Sequence, residues 1–449
     1  MDLGLSLARL AWSLLPVLAV LAVVGLVLVS APSRRFFRSF ASADGPLTWW
    51  IMLGLLLLQV LVGAVERRPT GASPFLGVPV VGQLLAPVYG DRLMVLVLAG
   101  GLLAAAYALF LRAATTPAAL LLLAWAGLTV VVTVVVTDSV ASSTWLAFAA
   151  AAACFVAVAL LATGITTRHA DVVLLSLGAV LVVGNLYVLH AGSAWAFTDA
   201  WSGGFLAGPR FQGTLPQPNV TGQVFACVLV LALWTRRERP LVCWALAAGS
   251  AYLVYLSGSR GAVVLLLGVV AMAVFRHASG AWRSVAGTAA VGLAVALPLS
   301  GLARSAVVNG REVTWDDAFA LIARSPALGS GVFPVVGPVD SAGFYAHNQV
   351  LQTATETGLL GVLLVCGAMV LLVRSRTGAR GTDVWVALVF GVLLTFSFEN
   401  PVRLFSPEFG LIPCLVAIAA GVAGRRAPAE SPPGAATGDA QVPQLQGRA

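Results

Sequence analysis

The chain contains no lysine, and every basic residue apart from its four histidines is arginine. Charge of either sign is scarce. Only 10% of the residues are Asp, Glu, Lys or Arg, against about 25% in soluble domains. With 59% of the residues hydrophobic, that scarcity excludes a soluble globular protein and leaves a chain built mostly of membrane-spanning helices. Cysteine offers little chemistry. Cys154, Cys227, Cys243, Cys366 and Cys414 each lie in an apolar run, with no C-x-x-C pairing. They read as small packing residues, not as disulfides or metal ligands. His169, His190 and His277 are scattered. No D-x-D pair and no Gly-rich loop before a helix is present, so neither a metal site nor a nucleotide site is expected. The absence of lysine has a compositional account in a GC-rich genome, so a phosphate-gripping role belongs only to particular arginines.

What the chain has in abundance is apolar runs long enough to span, about 17–25 residues each. They fall near 10–30, 47–65, 93–111, 118–137, 143–163, 171–190, 219–234, 241–256, 261–275, 284–300, 350–373, 383–398 and 405–423. The spacing predicts an all-α polytopic membrane protein of about 12–13 transmembrane helices. The first run follows Arg9 and is met by Pro32 just after Ser30-Ala31, so an uncleaved helix is expected in place of a signal peptide. Arginines cluster at 34–38, 236–239, 276–283, 374–380 and 425–426. These loops are inside if the N-terminus is outside and the C-terminus inside. Glu66-Arg67-Arg68 breaks the rule, and a re-entrant element over 74–87 would account for it. The residues after 424 are rich in Pro, Ala, Gly and Gln and read as a disordered cytoplasmic tail.

The outer face then collects the polar residues. Gly208-Pro209-Arg210 precedes Pro216-Gln217-Pro218-Asn219 at a helix entry. A capped turn accounts for Pro218 and Asn219, whereas Arg210 has no such need. Ser257-Gly258-Ser259-Arg260-Gly261 joins two apolar runs. Its small residues let a ligand approach the backbone, and Arg260 is expected at or inside the membrane edge, either snorkelling or clamping an anion. The long loop 301–346 carries Thr314-x-x-Asp317, a capping-box pattern, then Trp315, Ala318, Phe319 and Ile322 on one helical face, ended by Pro326. This is a short amphipathic helix, either interfacial or a lid presenting Arg311. At the head of the next run, His347 is followed by Asn348, Gln352 and Glu356 at helical spacing. Polar groups entering a bilayer together need a wet cavity or a partner, and a histidine titrates near neutral pH. Glu399-Asn400-Pro401 and Arg403 add outer-face charge, as a helix break with a surface ion pair or as part of the site.

These pieces resemble the O-antigen ligase and polymerase superfamily of bacterial membrane glycosyltransferases. The pieces are, in order, Arg210 with Gly213 and Pro218-Asn219; Ser259-Arg260-Gly261; Arg311 with Trp315, then Pro326 and Gly329-Ser330-Gly331; and His347-Asn348 with Glu356, Gly358 and Gly361. The resemblance covers about 205–398. It implies N-terminal transmembrane helices over 1–204, a ligase-like catalytic region over 205–424 with its outer loop 301–346, and a tail over 425–449. It further implies an enzyme of the cytoplasmic membrane that needs no cofactor and no metal. A glycan would pass, with inversion, from a polyprenyl-diphosphate donor to a hydroxyl of a glycan, lipid or protein acceptor on the outer face. Arg210, Arg260 and Arg311 would hold the diphosphate, His347 would be the catalytic base, and Asn219, Ser259, Asn348, Gln352 and Glu356 would support them. The alternatives are a polymerase of lipid-linked repeats or of peptidoglycan-type strands, the latter relying on an outer-loop aspartate such as Asp340, or a lipid-linked glycan flippase.

Overall fold

The computed structural model describes residues 46–66, 91–111, 115–136, 142–190, 196–198, 209–237, 239–274, 279–300, 312–333, 346–375, 382–404 and 410–423. The helices are α1 (Pro46–Glu66), α2 (Asp91–Leu111), α3 (Pro117–Val136), α4 (Ser142–Ala162), α5 (Thr167–His190), α6 (Pro218–Thr235) and α7 (Pro240–Ser257). They continue as α8 (Arg260–Val274), α9 (Gly280–Leu299), α10 (Glu312–Arg324), α11 (Gln349–Arg374), α12 (Thr382–Thr395) and α13 (Leu411–Ala423). A two-residue ribbon, β1 (Phe197–Thr198) against β2 (Arg210–Phe211), is antiparallel and lies between α5 and α6. Among the described residues, seven helices are long and apolar enough to cross a membrane, and five more are apolar but shorter. The molecule is an all-α polytopic membrane protein. Each span expected from 47–65 onward coincides with a helix; the expected span 10–30, the element over 74–87 and the tail lie outside the described residues.

The helices are apolar on all sides because lipid and neighbouring helix are equally apolar solvents. Val131, Val134 and Val135 on α3, Leu267 and Val270 on α8 and Leu359 and Leu363 on α11 point outward, while large side chains such as Trp125, Phe155, Phe225 and Trp385 fill the interior. Water drives no association inside a bilayer, so close packing must do it. Small residues provide this. A Cβ on Gly268 of α8 would fall 2.8 Å from Gly391 Cα of α12, and a Cβ on Gly421 of α13 would fall 2.4 Å from Ala162 of α4. The five cysteines are buried and unbridged, as their apolar settings suggest.

One end of the bundle is polar, and contacts there bring distant loops together. Arg210 reaches the end of α7, Asn219 at the head of α6 reaches Glu399 after α12, and Asn348 at the head of α11 reaches both Ala294 on α9 and Ser397. The polar ends of α6, α7, α9, α11 and α12 therefore share one face, as the arginine pattern requires.

Candidate functional site

Arg210 is placed by its neighbours on β2. Phe211 is fully buried and meets Phe197 edge to face, and Gln212 N donates to Ala196 O at 2.8 Å. The turn beyond is held by Asn185 of α5, whose Oδ1 accepts from Thr214 N and whose Nδ2 donates to Thr214 Oγ1, both at 2.9 Å. So fixed, Arg210 is buried and its guanidinium donates from Nε to Ser257 O at 2.8 Å and from Nη2 to Asn219 Oδ1 at 2.7 Å. Burial pushes its pKa below the ordinary arginine value; Glu399 opposes the shift and Arg260 adds to it. The arginine is therefore close in effect to a second cation and to a carboxylate. Asn219 Nδ2 completes the line by donating to Glu399 Oε1 at 2.7 Å.

The link between α7 and α8 is as short as its small residues suggest. Gly258 ends α7 in the left-handed region at φ 56° and lies against Arg210, where a Cβ would come within 3.3 Å of Nε. Ser259 caps α8 by accepting from Ala262 N at 3.1 Å. Arg260 is the first residue of α8, and its side chain is exposed on the protein surface. The turn is tight enough to leave its side chain outside the helix packing, beside buried Arg210.

The second cluster surrounds His347, which precedes α11 instead of starting it. His347 is half-buried and its backbone is left-handed, φ 50°. Such a conformation is uncommon for a non-glycine residue and persists only where the surroundings impose it. They do so from both sides. Before it, Ala346 N donates to Gln352 Oε1 at 2.8 Å, and Ala346 O accepts from Trp315 Nε1 at 2.7 Å. After it, Asn348 is extended and is the N-cap of α11, accepting from Leu351 N while its Nδ2 donates to Ala294 O and Ser397 O. The expected stripe thus loses its first member: Asn348 is a cap because its backbone is not helical, and only Gln352 and Glu356 share the face. Gln352 Nε2 donates to Glu356 Oε1 at 2.7 Å.

Arg403 completes this cluster. Its Nε donates to Glu356 Oε1 at 2.7 Å, and both side chains are buried. Asn400 Nδ2 donates to Gln352 Oε1 at 3.1 Å, and Gln349 Oε1 and Nε2 clasp the backbone of Val402. Of the two settings held open for this run, the surface ion pair is not found: Glu399, Asn400 and Arg403 are all buried, and Arg403 pairs with a carboxylate on α11. The signal was the run of polar residues at 399–403, but its partners are far off in sequence. Buried Gln223 of α6 carried no signal. The irregular segment 397–403 joins both clusters, with Glu399 in the first and Asn400 and Arg403 in the second. A small cleft between them is lined by Asn219, Gln223, Glu399, Asn400 and Arg403.

The described part of the long loop, 312–333, packs against the second cluster. Its amphipathic helix α10 starts at Glu312, so Thr314 lies within it and is no cap. Trp315, Ala318 and Leu321 pack with Leu297, Ala346 and Leu351. The helix rests on the protein beside Ala346, the residue before His347. The chain then returns onto a break in α11, where Gly358 is non-helical at φ 65°. There Ser330 N and Gly331 N donate to Thr355 O and Glu356 O, and Leu359 N and Leu360 N donate to Pro326 O and Ala327 O. A Cβ on Gly358 would stand 2.2 Å from Ala327. Among the expected site residues, Arg210, Asn219, Ser259 and Arg260 are brought together, as are His347, Asn348, Gln352 and Glu356. Arg311, and Asp340 of the alternative reading, lie outside the described residues.

An all-helical polytopic membrane protein, with arginines and a histidine gathered at one end of its bundle, is what fold and site define. Residues 245–366, about a quarter of the chain, match the family model described as O-antigen ligase. The matched stretch holds Ser259, Arg260, α10 and His347 through Glu356; Arg210, Asn219, Glu399 and Arg403 lie beyond it. Compared with curated proteins, the chain finds no match.

Proposed function

We propose that the protein moves a glycan from a polyprenyl-diphosphate donor to an acceptor hydroxyl on the outer face of the cytoplasmic membrane. Residues 205–424 would form the catalytic region, and the C-terminus would be cytoplasmic. The observation that carries this reading is the juxtaposition at one end of the bundle: an arginine pair tied through 397–403 to a histidine whose backbone is fixed on both sides.

In this reading Arg260, exposed at the head of α8, and Arg210 beside it bind the diphosphate, with Arg311 of the long loop as a third cation. Ser259 and Asn219 hold the arginines in place. The acceptor oxygen attacks the anomeric carbon, the bond from that carbon to the diphosphate oxygen breaks, and the diphosphate leaves with the electron pair. His347 takes the proton of the attacking hydroxyl. Arginines near the leaving group stabilise the charge that develops there, and inversion follows from attack opposite the leaving group. Asn348, Gln352 and Glu356 keep His347 in its left-handed seat.

The test is transfer from a purified polyprenyl-diphosphate donor by the detergent-solubilised protein. A positioned base contributes about 10²–10⁴-fold in rate. His347→Gln keeps a hydrogen-bonding side chain but takes no proton, so transfer falls by that factor while donor binding stays. Near-normal turnover in His347→Gln rejects the base assignment.

A further inference from the structure

The arginine end of the site holds a negative charge that binding an anionic donor does not require. Glu399 is 96% buried, and its Oε1 accepts from Asn219 Nδ2 at 2.7 Å, while Asn219 Oδ1 accepts from Arg210 Nη2 at 2.7 Å. Its Cγ lies 3.4 Å from the position of a Cβ on Gly261, so the side chain packs on the first turn of α8, one residue beyond Arg260. Two guanidinium groups and the positive end of a helix dipole make this a favourable place for an anion. The protein has put its own anion there.

We propose that Glu399 is a built-in counter-anion that weakens diphosphate binding so that polyprenyl diphosphate leaves after transfer. The proposal rests on the reading of Arg210 and Arg260 as the diphosphate residues. Two arginines with no opposing charge would hold substrate and product alike. Binding both ground states tightly lowers KM without raising kcat, and slow product release then limits turnover. A fixed carboxylate counters this through space. In the donor-free protein it also keeps two neighbouring cations from repelling each other. Its hydrogen bond to Asn219 needs only an acceptor oxygen, so charge and geometry can be separated by substitution.

Farnesyl diphosphate, a short soluble analogue of the lipid diphosphate, serves as the probe, titrated into the full-length protein in detergent. Glu399→Gln keeps an acceptor for Asn219 and removes the charge. It should bind the probe at least roughly tenfold more tightly, since like charges about 3 Å apart repel by that much even at the dielectric of water. In the transfer assay its KM for donor and its kcat should both fall. Glu399→Asp keeps the charge and should bind as the wild type does. A purely structural Glu399 would instead give weaker binding in Glu399→Gln. Unchanged or weaker binding in that variant overturns the proposal. Arg260→Ala in the same titration separates the two readings. If Arg260→Ala weakens binding and Glu399→Gln does not strengthen it, only the role of Glu399 falls. If Arg260→Ala also binds normally, the arginine assignment beneath it falls as well.

Discussion

Replacing Arg403 by leucine leaves a carboxylate behind in the bundle. Glu356 is 2% exposed, and its Oε1 receives Arg403 Nε and Gln352 Nε2, each at 2.7 Å. Without the arginine, Glu356 keeps the neutral amide donor and loses its ionic partner. A hydrogen bond to a charged group contributes roughly 1.5–3 kcal/mol. Removing one member of a buried pair costs about 3–5 kcal/mol, because desolvation of the orphaned charge is added to the lost bond. The pair itself is not a strong source of stability, since its replacement by neutral groups of similar size is often neutral or favourable. The double substitution Glu356→Gln with Arg403→Leu should therefore recover most of what Arg403→Leu loses. Unfolding of the detergent-purified protein by SDS, followed by tryptophan fluorescence, measures all three proteins. A cost below about 1 kcal/mol for Arg403→Leu, the range of an exposed pair, would show that water reaches Glu356 and refute the buried setting. A double variant no better than the single one would show that the shape of the cluster, not its charge, holds Ala346 and Asn400.

Arg260→Ala should weaken donor binding by about one to two decades, from the roughly 1.5–3 kcal/mol of a charge-assisted hydrogen bond; Arg260→Lys should restore only part, lacking the two-pronged contact. Arg210→Ala should lose stability as well as donor affinity, since it also strips Ser257 O and Asn219 of their donor; a normal melting temperature would contradict this. Gly358→Ala should destabilise the protein by at least about 1–3 kcal/mol for its left-handed backbone alone and expose the 326–331 return to protease, and unchanged digestion would contradict the docked loop. A single cysteine at residue 237 should resist an impermeant thiol reagent applied to intact cells, whereas labelling there would reverse the orientation.

The spans were legible because apolar runs in a lipid solvent need no periodicity. The run at 350–373 becomes α11, Gln349–Arg374, with its ends displaced by one residue. The face of α10 was legible in Trp315, Ala318, Phe319 and Ile322, since one side meets protein and the other does not. Its start was misplaced because Thr314 and Asp317 fit a cap pattern equally well inside a helix already begun at Glu312. Of the site, the sequence carried single residues and not their pairings. Arg403 and Glu356 are 47 residues apart, and Asn219 and Glu399 are 180 apart. No local pattern connects such positions, so the polar run at 399–403 read equally as a surface ion pair and as part of the site. The left-handed backbone of His347 was invisible for the same reason, because the groups that impose it come from α9, α10, α11 and 397–403.

The segment from Ser397 to Arg403 has no regular structure, yet it touches both clusters, and its backbone at Ser397 and Val402 is held by α11. This makes its length as consequential as its composition. One inserted residue between Glu399 and Arg403 could leave every catalytic side chain present in the chain and still shift Asn219 and Glu356 out of register with their partners. Among active proteins of this architecture, the spacing from Glu399 to Arg403 should therefore tolerate substitution better than insertion. A length change there is a sharper mark of lost or altered activity than the loss of a conserved letter.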